Sequence, residues 1–546
     1  MRRAIRVSAA AVLALAALSP RVARATSVEE FPDNGSEQEG RGGAWVARAS
    51  DPLATFYNPA GLAGQPTRLT LQANISSQHT CFQRVQSAND PTSDGYSPAS
   101  PGGTPYPKVC SSGAFFPDPQ LAFTYHLSDR IGLGLALLAP SAVGAATWPQ
   151  FVDGNPAPQR YMLISTNSVI LTPTIGVGWE VVDGLRLGAS FIFGTAPSID
   201  FVNAAPGINE SPVTASNNDI RNELKAKDIF FPGFTLGAIW SPSSNLDVAA
   251  WYKWMSSVNA KGDVTTASND FTSAAAAGHT SLVQYGDTAE PYCYTVPAGQ
   301  TPAGPPLCGS GNNGKVTVPI PMEAKLGVRY HKPRPDLPYD GHLRDPMTQD
   351  VFDVEADVTW ANNSAFDAIQ IRFPGAANGS GIIPANPGIS SSFIPPNADV
   401  THAFRDAVGV RLGGDYNLLP DQLAIRAGAF FETQAANSVY QNIDFDGADR
   451  FGVALGGTYR IRMGSEKQHA LDLMAGYGHV FFGTLSNDNP NAQGLPALVG
   501  TACLNNGTAV GSCPGGGQTY RTPWPINLGT ITSSINVINV GASYKF

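Results

Sequence analysis

The sequence predicts an all-β protein, a transmembrane antiparallel β-barrel of about 14 strands with an N-terminal hatch inside its lumen. Three observations predict this fold. Apolar and polar side chains alternate along many segments of about ten residues. Short turns alternate with long loops that are rich in Gly, Pro, Asn and Ser. Charged residues make up only 14% of the 546 residues, against about 25% in ordinary soluble domains.

The period-two alternation is clearest between Val351 and Trp360, where successive side chains point to opposite faces of a strand. One face is apolar and the other is acidic; the acidic positions are Asp353, Glu355 and Asp357. The same pattern runs from Ile320 to His331. Such strands predict a barrel with lipid outside and a polar lumen inside. A soluble β-protein with one wet face is the alternative.

The last residues of the chain disfavour that alternative. Phe546 ends the chain, and Tyr544, Ala542, Val540 and Ile538 share its face. A closing strand with a terminal aromatic residue resembles the signal that outer-membrane assembly machinery recognises. We therefore expect that machinery to be a partner, together with outer-membrane lipid and lipopolysaccharide.

The connections between the predicted strands alternate between short turns and long loops, and counting the hairpins gives about 14 strands. Short turns occur near residues 128–130, 182–184, 242–245, 419–421 and 464–466, with a longer Pro-rich exception at 332–349. Between them lie long loops at residues 78–117, 141–165, 201–225, 266–314, 373–401, 435–448 and 485–530. Short turns on the periplasmic side and long loops outside the cell are typical of outer-membrane barrels.

The N-terminal residues predict a secretory signal peptide. Three arginines precede an uncharged stretch from Val7 to Leu18, which leads to Ala23-Arg24-Ala25. The apolar part is too short for the roughly 20 residues of a membrane-spanning anchor helix, which is the alternative. Residues 1–25 contain five arginines and no acidic residue, so their removal changes the formal charge from −9 to −14. This charge argues against a nucleic-acid partner.

The six cysteines lie in three of the long loops, two in each. Six cysteines allow 15 pairings. Pairing within each loop needs no crossing and stays on the oxidising side of the membrane. We therefore predict the disulfides Cys81–Cys110, Cys293–Cys308 and Cys503–Cys513. A metal site is the alternative, but the chain has no C-x-x-C motif or clustered histidines, so no metal and no cofactor are expected.

Residues 26–66 do not alternate and are rich in small side chains, as in Gly40-Arg41-Gly42-Gly43-Ala44 and in the stretch from Ala54 to Leu62. Glycine permits close approach of the backbone, and Asn58-Pro59 favours an extended residue followed by a turn. We interpret this segment as a hatch that folds inside the lumen of a barrel formed by residues 67–546. A periplasmic arm with an ordinary Asn-Pro turn is the alternative.

These motifs resemble the FadL-like family of outer-membrane transporters for long-chain fatty acids, which also includes importers of aromatic hydrocarbons. The resemblance rests on the Gly-Arg-Gly-Gly-Ala stretch and on Phe56-Tyr57-Asn58-Pro59-Ala60-Gly61-Leu62. It continues through Arg160-Tyr161, Val318–Tyr330 and Trp360–Phe373, and then through Leu423–Gly428, Asp449–Tyr459 and the last strand.

The resemblance implies a 14-stranded barrel in the outer membrane of a Gram-negative bacterium, with a hatch that carries Asn58, Pro59 and Ala60. Cargo would be captured by apolar loops, pass to a pocket in the upper barrel and leave sideways at a kink of the third strand. That strand is expected at Ile131–Pro140. Gly132, Gly134 and Pro140 would either weaken its pairing or, for the small residues, make room for the hatch.

The candidate capture residues lie in and after the second long loop: Trp148, Phe151, Tyr161 and Met162. They would bind cargo or merely pack the loop onto the barrel. Arg160 and Arg372 are placed near extracellular strand ends, where they would bind a carboxylate head group or pair with an acidic residue of the lumen.

Long-chain fatty acids are the first expectation for the cargo, aromatic hydrocarbons the alternative, and a monomer is expected. A diffusion porin would lack residues 26–66 as a plug, and a surface receptor would use the long loops. An enzyme is not expected, because none of the eight histidines lies in a recognisable nucleophile motif.

Overall fold

The computed structural model describes residues 34–87, 90, 106–113, 115–139, 145–205, 219–268, 280–285, 292–293, 308–309, 314–336, 345–372, 382–383, 392–393, 398–464, 468–489, 494, 496–502 and 518–546. Within these ranges no helix is both long enough and apolar enough to cross a membrane.

Fourteen antiparallel strands of the described chain form one closed barrel, as the sequence predicts. The first six are β1 (Arg68–Arg84), β2 (Phe115–Ser128), β3 (Ile131–Leu137), β4 (Thr174–Val182), β5 (Leu185–Ala205) and β6 (Ile220–Ser243). Four strands consist of two segments each: β7 (Leu246–Met255, Val258–Ser268), β8 (Gly314–Val318, Glu323–Pro333), β9 (Asp350–Ala361, Ala368–Arg372) and β10 (Ala398–Thr401, Ala407–Leu419). The last four are β11 (Leu423–Glu432), β12 (Arg450–Met463), β13 (His469–Phe482) and β14 (Gly529–Lys545).

The barrel closes between its first and last strands. β14 pairs with β13 from Ala470↔Lys545 to Phe481↔Ser534. On its other edge β14 pairs with β1 from Arg68↔Lys545 to Arg84↔Gly529. Closure satisfies the backbone hydrogen bonds of both edges, which a strand in contact with lipid requires.

Alternation sorts the side chains between the two faces of the wall. Outward positions are apolar and exposed, as at Leu326 (63%) and Leu455 (65%). Inward positions carry the charges, as at Arg329, Asp353 and Glu355, which are buried. The period of two thus places ionic groups in the lumen and apolar groups toward lipid.

Residues Asn34–Pro66, which we call the N-terminal segment, are buried inside the barrel. The segment contains helices α1 (Ser36–Gly40) and α2 (Ala54–Tyr57) and a 3₁₀-helix at Pro59–Leu62. It contacts strands all around the lumen: Ser36 N–H donates to Gln72 of β1 at 2.8 Å, and Glu39 lies against Gly478 of β13.

Strand β3 is much shorter than its neighbours and ends at Leu137, before the expected Pro140, which lies outside the described residues. Above it, β5 pairs instead with two short strands, Ser165–Asn167 and Val169–Leu171. The strand Ala145–Thr147 pairs with the first of these. Because β3 ends at Leu137, its described pairing with β2 ends at Leu121↔Leu137.

The turn between β8 and β9 is longer than the others, as the sequence indicates. It ends in helix α3 (Pro346–Gln349). Two further 3₁₀-helices lie at Asn363–Ala365 and Ser438–Tyr440. The remaining short strands are Lys108–Cys110, Phe151–Val152, Asn155–Pro156, Thr280–Tyr285, Tyr292–Cys293, Cys308–Gly309, Ile382–Ile383, Ser392–Phe393, Leu485–Asn487, Pro496–Ala502 and Gln518–Pro525.

One predicted disulfide is confirmed. Cys81 and Cys110 are bonded, and they are directly opposed where Lys108–Cys110 pairs with β1. Cys293 and Cys308 are opposed in a short pair of strands, and their bond stays a prediction. Cys503 and Cys513 lie outside the described residues.

Candidate functional site

A row of four glycines crosses four neighbouring strands on the inner face of the wall. Gly132 of β3 pairs with Gly178 of β4, which pairs with Gly188 of β5, which pairs with Gly237 of β6. A Cβ atom at any of the four would overlap Asn58, Pro59, Ala60 or Leu62. The row therefore forms a groove that seats the Asn-Pro-Ala turn of the N-terminal segment.

Asn58 orders that turn through both ends of its amide. Its Oδ1 accepts a hydrogen bond from the Ala60 N–H at 3.2 Å and so caps the 3₁₀-helix, where Pro59 is the first residue. Its Nδ2 donates to the Val46 carbonyl at 2.7 Å. Asparagine is a favoured cap because its short side chain reaches the free N–H groups of the first turn.

Gly132 and Gly134 keep their pairing with both neighbouring strands: Gly132 lies opposite His126 and Gly178, and Gly134 lies opposite Thr124 and Gly176. A Cβ at Gly134 would overlap the Thr55 hydroxyl. The geometry at both glycines is that of residues that leave room for the N-terminal segment.

A second glycine pair seats the Gly-Arg-Gly-Gly-Ala stretch. Gly413 of β10 pairs with Gly428 of β11, and both lie against the backbone of Arg41. Gly42 and Gly43 have φ values of 62° and 75°, in the left-handed region that glycine adopts without steric cost.

Two arginines hold this end of the N-terminal segment to acidic residues of the wall. Arg41 lies 2.7 Å from Asp353 and 2.7 Å from Asp415. Arg48 also pairs with both carboxylates. All four side chains are buried. Breaking such a pair leaves an uncompensated charge in the interior, which costs several kcal/mol.

Burial and charge give two acidic residues of the N-terminal segment opposite pKa shifts. Burial raises the pKa of Glu37, but Arg48, Arg426 and Arg68 outweigh it and lower that pKa to about 2. For Asp51, burial and then the nearby Glu37 carboxylate raise the pKa to about 7. Asp51 is therefore a group of this segment that titrates near neutral pH.

A large apolar pocket lies above the N-terminal segment, in the half of the barrel nearer the long loops. It contains about 1440 Å³ of empty space, including its open mouth. Its apolar lining consists of Phe116, Ala145, Ala146, Trp148, Ile170, Ile199, Phe201, Leu224, Val258, Val316, Val318, Ile320, Ile369, Ile371, Val400, Ile443 and Phe445. Such a concave, mainly apolar site is typical of binding sites for small hydrophobic ligands.

The pocket is continuous with the buried core of the N-terminal segment. One apolar cluster includes Leu53 and Phe56 of that segment together with Leu224 and Val316 of the pocket. The cluster also contains Leu138, next to the end of β3. Apolar contacts thus lead from the pocket both to the segment and to the shortened strand.

The polar side chains of the lining are few and almost all neutral: Ser76, Gln78, Thr80, Ser111, Thr166 and Ser168. Among the described residues that line the pocket, the one charged side chain is Asp444, in the loop between β11 and β12. It pairs with the fully buried His402, with Nε2 3.0 Å from a carboxylate oxygen.

The predicted capture residues separate into two groups. Trp148 lines the pocket. Tyr161 and Met162 are buried in an apolar cluster beneath the loops, where Tyr161 Oη donates to Asp219 at 3.0 Å. Phe151 lies in a two-residue strand paired with Asn155–Pro156. The structure thus places Trp148 in the described pocket lining and the other three outside it.

The two predicted head-group arginines are both paired with acidic residues. Arg160 is fully buried, and its Nε lies 2.7 Å from Asp219. Arg372 Nη2 lies 2.6 Å from Asp399, and both side chains are partly exposed. Neither arginine is in the described lining of the pocket.

A second depression lies on the outer face of the wall around β3. It is lined by Leu69, Leu121, Ala122, Phe123, Leu135, Ala136, Leu137, Pro173, Thr174, Ile175, Phe191 and Phe193. Ala122, Ala136 and Thr174 point inward, whereas Leu135 and Ile175 point outward and are exposed. Residues of both faces therefore line this depression, at the level where β3 ends.

The sequence reasoning named Gly132 as a residue that makes room for the hatch, but it missed the other three glycines of the row and Asp444. Glycines at alternate positions, as in Gly132-Leu133-Gly134 and Gly176-Val177-Gly178, are a readable signal of an inner face that something approaches closely. Asp444 has no such signal, because its role depends on loops that are distant in the sequence.

A family model described as outer membrane protein transport protein (OMPP1/FadL/TodX) matches residues 22–504. The chain belongs to this family. The FadL/TodX family consists of outer-membrane β-barrels of Gram-negative bacteria that transport hydrophobic compounds, and its members are transporters rather than enzymes. The family resemblance read from the N-terminal motifs is therefore confirmed.

Solved structures support the same barrel. A FadL homologue of Pseudomonas aeruginosa superposes with a TM-score of 0.61 at 18% identity, over 96% of this chain and 100% of that chain. The toluene transporter TodX of P. putida gives 0.52 at 14% identity, over 95% and 98%. TbuX, a toluene transporter of Ralstonia pickettii, gives 0.50 at 13% identity, over 95% and 99%. At these identities the likeness to FadL/TodX structures concerns the fold. No protein of curated function matches the sequence significantly.

Proposed function

We propose that this FadL/TodX family member is a passive importer that binds a neutral hydrophobic molecule in the upper-barrel pocket and releases it sideways into the outer membrane. The observation that carries this proposal is the composition of the pocket: its described lining is mainly apolar and contains no lysine or arginine. A buried carboxylate without a counter-ion would lose its hydration with little compensation. A neutral cargo, such as an aromatic hydrocarbon, has no such cost.

A long-chain fatty acid is the second candidate. The hydroxyl and amide groups of Ser76, Gln78 and Thr80 of β1 line the pocket. They would donate hydrogen bonds to a carboxylate head group held toward the mouth. The pairing of Arg160 with Asp219 and of Arg372 with Asp399 favours the neutral cargo.

In this proposal residues 26–66 act as the hatch, and the barrel begins at residue 67. The Asn58-Pro59-Ala60 turn lies against β4, β5 and β6, on one side of β3. Apolar contacts join the segment to the pocket. A small displacement of the turn along the glycine row would open the floor of the pocket. This geometry supports Asn58, Pro59 and Ala60 as gate residues.

Release occurs at the top of β3, at Leu137, and Gly132 and Gly134 lie lower on the same strand, against the hatch. The short strand and the depression lined by residues of both faces support an opening there. Transfer from a partly polar pocket to lipid is favourable by up to about 0.8 kcal/mol for each CH₂ group that becomes fully buried. Because this transfer lowers the free energy of the cargo, transport needs no energy source.

The transporter works as a monomer. Strands and loops of one barrel enclose the pocket, from Ser76 of β1 to Phe445 before β12, which supports a site complete within one barrel. The exposed ring of the terminal Phe546 lies edge-on to the ring of Tyr544, with the two ring centroids 4.8 Å apart. This arrangement supports recognition of β14 by the outer-membrane assembly machinery.

Uptake measurements test the proposal. Cells that lack their own transporter and express this protein would receive radiolabelled toluene, oleate and a small sugar. We expect toluene uptake without sugar uptake, and a loss of toluene uptake in a Val316→Glu variant, which places a charge in the pocket. An Asn58→Ala, Pro59→Ala variant should also take up less toluene, because its gate turn is disordered.

Arg372→Gln is the matched variant that separates the two cargoes. It leaves the pocket lining unchanged, so toluene uptake should stay at the wild-type level. If oleate enters well and Arg372→Gln abolishes its uptake, the fatty acid is the cargo and the neutral-cargo proposal is wrong. Sugar uptake without toluene or oleate uptake would identify a diffusion porin, and surface binding without uptake would identify a receptor.

A further inference from the structure

Asp444 stands out among the residues that line the pocket, since a carboxylate in an apolar wall is costly unless it serves a purpose. Its side chain is only 6% exposed. It lies beside Ile443 and Phe445, which also line the pocket.

His402 orients this carboxylate. The Nδ1 atom of His402 lies 3.0 Å from the Val400 carbonyl, which can only accept a hydrogen bond, so Nδ1 carries a proton. The Nε2 atom lies 3.0 Å from both carboxylate oxygens of Asp444. The Phe445 N–H donates to Asp444 Oδ1 at 2.8 Å. The His402 ring and the Phe445 N–H thus hold the Asp444 carboxylate in one orientation.

Three aromatic rings surround the histidine, and one of them, Phe445, also lines the pocket. The ring centroids of Phe366, Phe404 and Phe445 lie 5.3, 5.0 and 5.9 Å from that of His402. His402 is fully buried and does not line the pocket. A ligand in the pocket therefore contacts Asp444 and not His402.

The carboxylate retains capacity to accept a further hydrogen bond. A carboxylate offers about four lone-pair sites, and the described donors are His402 Nε2 and the Phe445 N–H. The carboxylate lines a mainly apolar pocket, where a charge-assisted hydrogen bond is stronger than in water.

We propose that Asp444 determines specificity by selecting hydrophobic cargo that carries a hydrogen-bond donor, such as a phenol or an aliphatic alcohol, and by repelling carboxylates. This inference rests on the proposed function, since it assumes that cargo occupies the pocket. The apolar lining binds the body of the molecule, and Asp444 accepts the hydrogen bond of its hydroxyl group. An anionic ligand of the same shape is repelled, because no cation of the described lining offsets Asp444.

Four ligands of one shape test this proposal: cumene, 4-isopropylphenol, its methyl ether and 4-isopropylbenzoate. Their affinities are measured by isothermal titration calorimetry at pH 7.5 on the full-length protein in lipid nanodiscs, with empty nanodiscs as the reference. We expect the phenol to bind about tenfold more tightly than its methyl ether, which is about 1.4 kcal/mol. The benzoate should bind at least about tenfold more weakly than cumene.

Two variants assign the preference to Asp444. The double variant His402→Phe, Asp444→Leu replaces both partners with apolar groups, which leaves no unpaired buried charge. It should bind the phenol and the ether equally. Asp444→Asn removes the charge and should restore binding of the benzoate. Asp399→Asn is the matched control, because Asp399 is an exposed acidic residue outside the described lining; it should keep the wild-type order.

The outcomes separate this inference from the proposed function. If none of the four ligands binds the wild-type protein, the proposed function itself is wrong. If cumene binds but the wild-type protein does not prefer the phenol to its ether, Asp444 does not select the cargo. The same conclusion follows if the preference survives in the double variant. The wild-type comparison needs no variant, so poor folding of a variant leaves the test decisive.

Discussion

At the scale of single residues, Gly188 shows how closely the N-terminal segment approaches the wall. A Cβ atom at this position would overlap the backbone of Pro59 and Ala60, and neither backbone can move without moving the turn. We expect Gly188→Val to displace the Asn-Pro-Ala turn while β5 keeps its pairing, because valine suits a strand. Limited proteolysis of the protein in lipid vesicles should show faster cleavage within residues 34–66.

Gly457→Ala in β12 is the control for that variant. Its added Cβ would meet only the Ala424 carbonyl oxygen, at 3.2 Å, and no atom of the N-terminal segment. Cleavage of the segment should then match the wild type. Equal protection of Gly188→Val and wild type would show that the glycine row does not seat the turn.

Asp51 predicts a pH dependence of the N-terminal segment. The folded protein raises its pKa from about 3.8 to about 7, through burial and the charge of Glu37. The docked segment therefore holds a proton that the undocked segment releases. The stabilisation is fully present below about pH 4 and is lost as the pH rises through about 7. Amide hydrogen exchange at residues 51–57, corrected for the intrinsic rate, should become faster between pH 6 and pH 8.

Asp51→Asn should remove this pH dependence, because an amide does not titrate. Asp129→Asn, at an exposed turn between β2 and β3, should keep it. A pH profile that is the same in wild type and Asp51→Asn would assign the change to another group.

At the scale of elements, the described residues 345–349 between β8 and β9 lie at the mouth of the barrel that the short turns surround. Asp345, just before α3, lies 3.0 Å from Arg460 of β12 and 2.8 Å from Lys545 of β14. Thr348 of α3 donates to Asp421 in the turn between β10 and β11 at 2.8 Å. Burial raises the pKa of Asp345, but Arg460, Lys545 and Arg68 outweigh it and hold the pKa well below its usual range. This anchor is therefore charged at any physiological pH.

We expect Asp345→Asn to loosen this turn and to raise the ion conductance of the protein in planar lipid bilayers. Removing the carboxylate leaves Arg460 and Lys545 with fewer partners at the periplasmic end of the lumen, where charge repulsion opposes closure. Asp336→Asn is the control in the same turn, because Asp336 is exposed and pairs with Arg334. A conductance that Asp345→Asn leaves unchanged would mean that the turn does not close the mouth.

Elements with strict alternation were predictable, and elements that depend on distant partners were not. The segment Val351–Trp360 shows its two faces in the sequence, and the structure contains β9 there. The first long loop was expected to begin at residue 78, but β1 continues to Arg84, because β14 and the strand Lys108–Cys110 extend its pairing. β3 ends early because β5 pairs with residues after the second long loop, which no local pattern indicates.

At the scale of the whole molecule, the outer face is adapted to lipid. Leu455 lies near the middle of β12 and is exposed. We expect Leu455→Arg to lower the free energy of unfolding by about 2–4 kcal/mol, the cost of a cation near the bilayer midplane. Guanidinium-induced unfolding in lipid vesicles measures this change.

Ile461→Arg on the same strand is the matched control. Ile461 faces outward two residues before the end of β12, so the expected cost is about 0–1 kcal/mol. Equal costs at both positions would contradict the placement of the membrane along β12.

The barrel and its family could be read from the chain, but the pocket could not. Alternation and loop lengths are local, and they specify a closed sheet with a polar interior. The pocket takes single residues from many strands and loops, for example Gln78 of β1, Leu224 of β6 and Val400 of β10. Arg160 and Arg372 were reasonable candidates for a head group, yet their carboxylate partners Asp219 and Asp399 lie 59 and 27 residues away along the chain.

The contacts that hold the N-terminal segment in the lumen limit when this segment can dock during assembly. Arg41 binds Asp353 and Asp415, which are 312 and 374 residues later in the chain. Arg41 therefore finds these two partners only after β9 and β10 have been made. Docking of this segment at Asp353 and Asp415 therefore follows the synthesis of β10, and the Arg41 guanidinium needs other partners, such as water, until then.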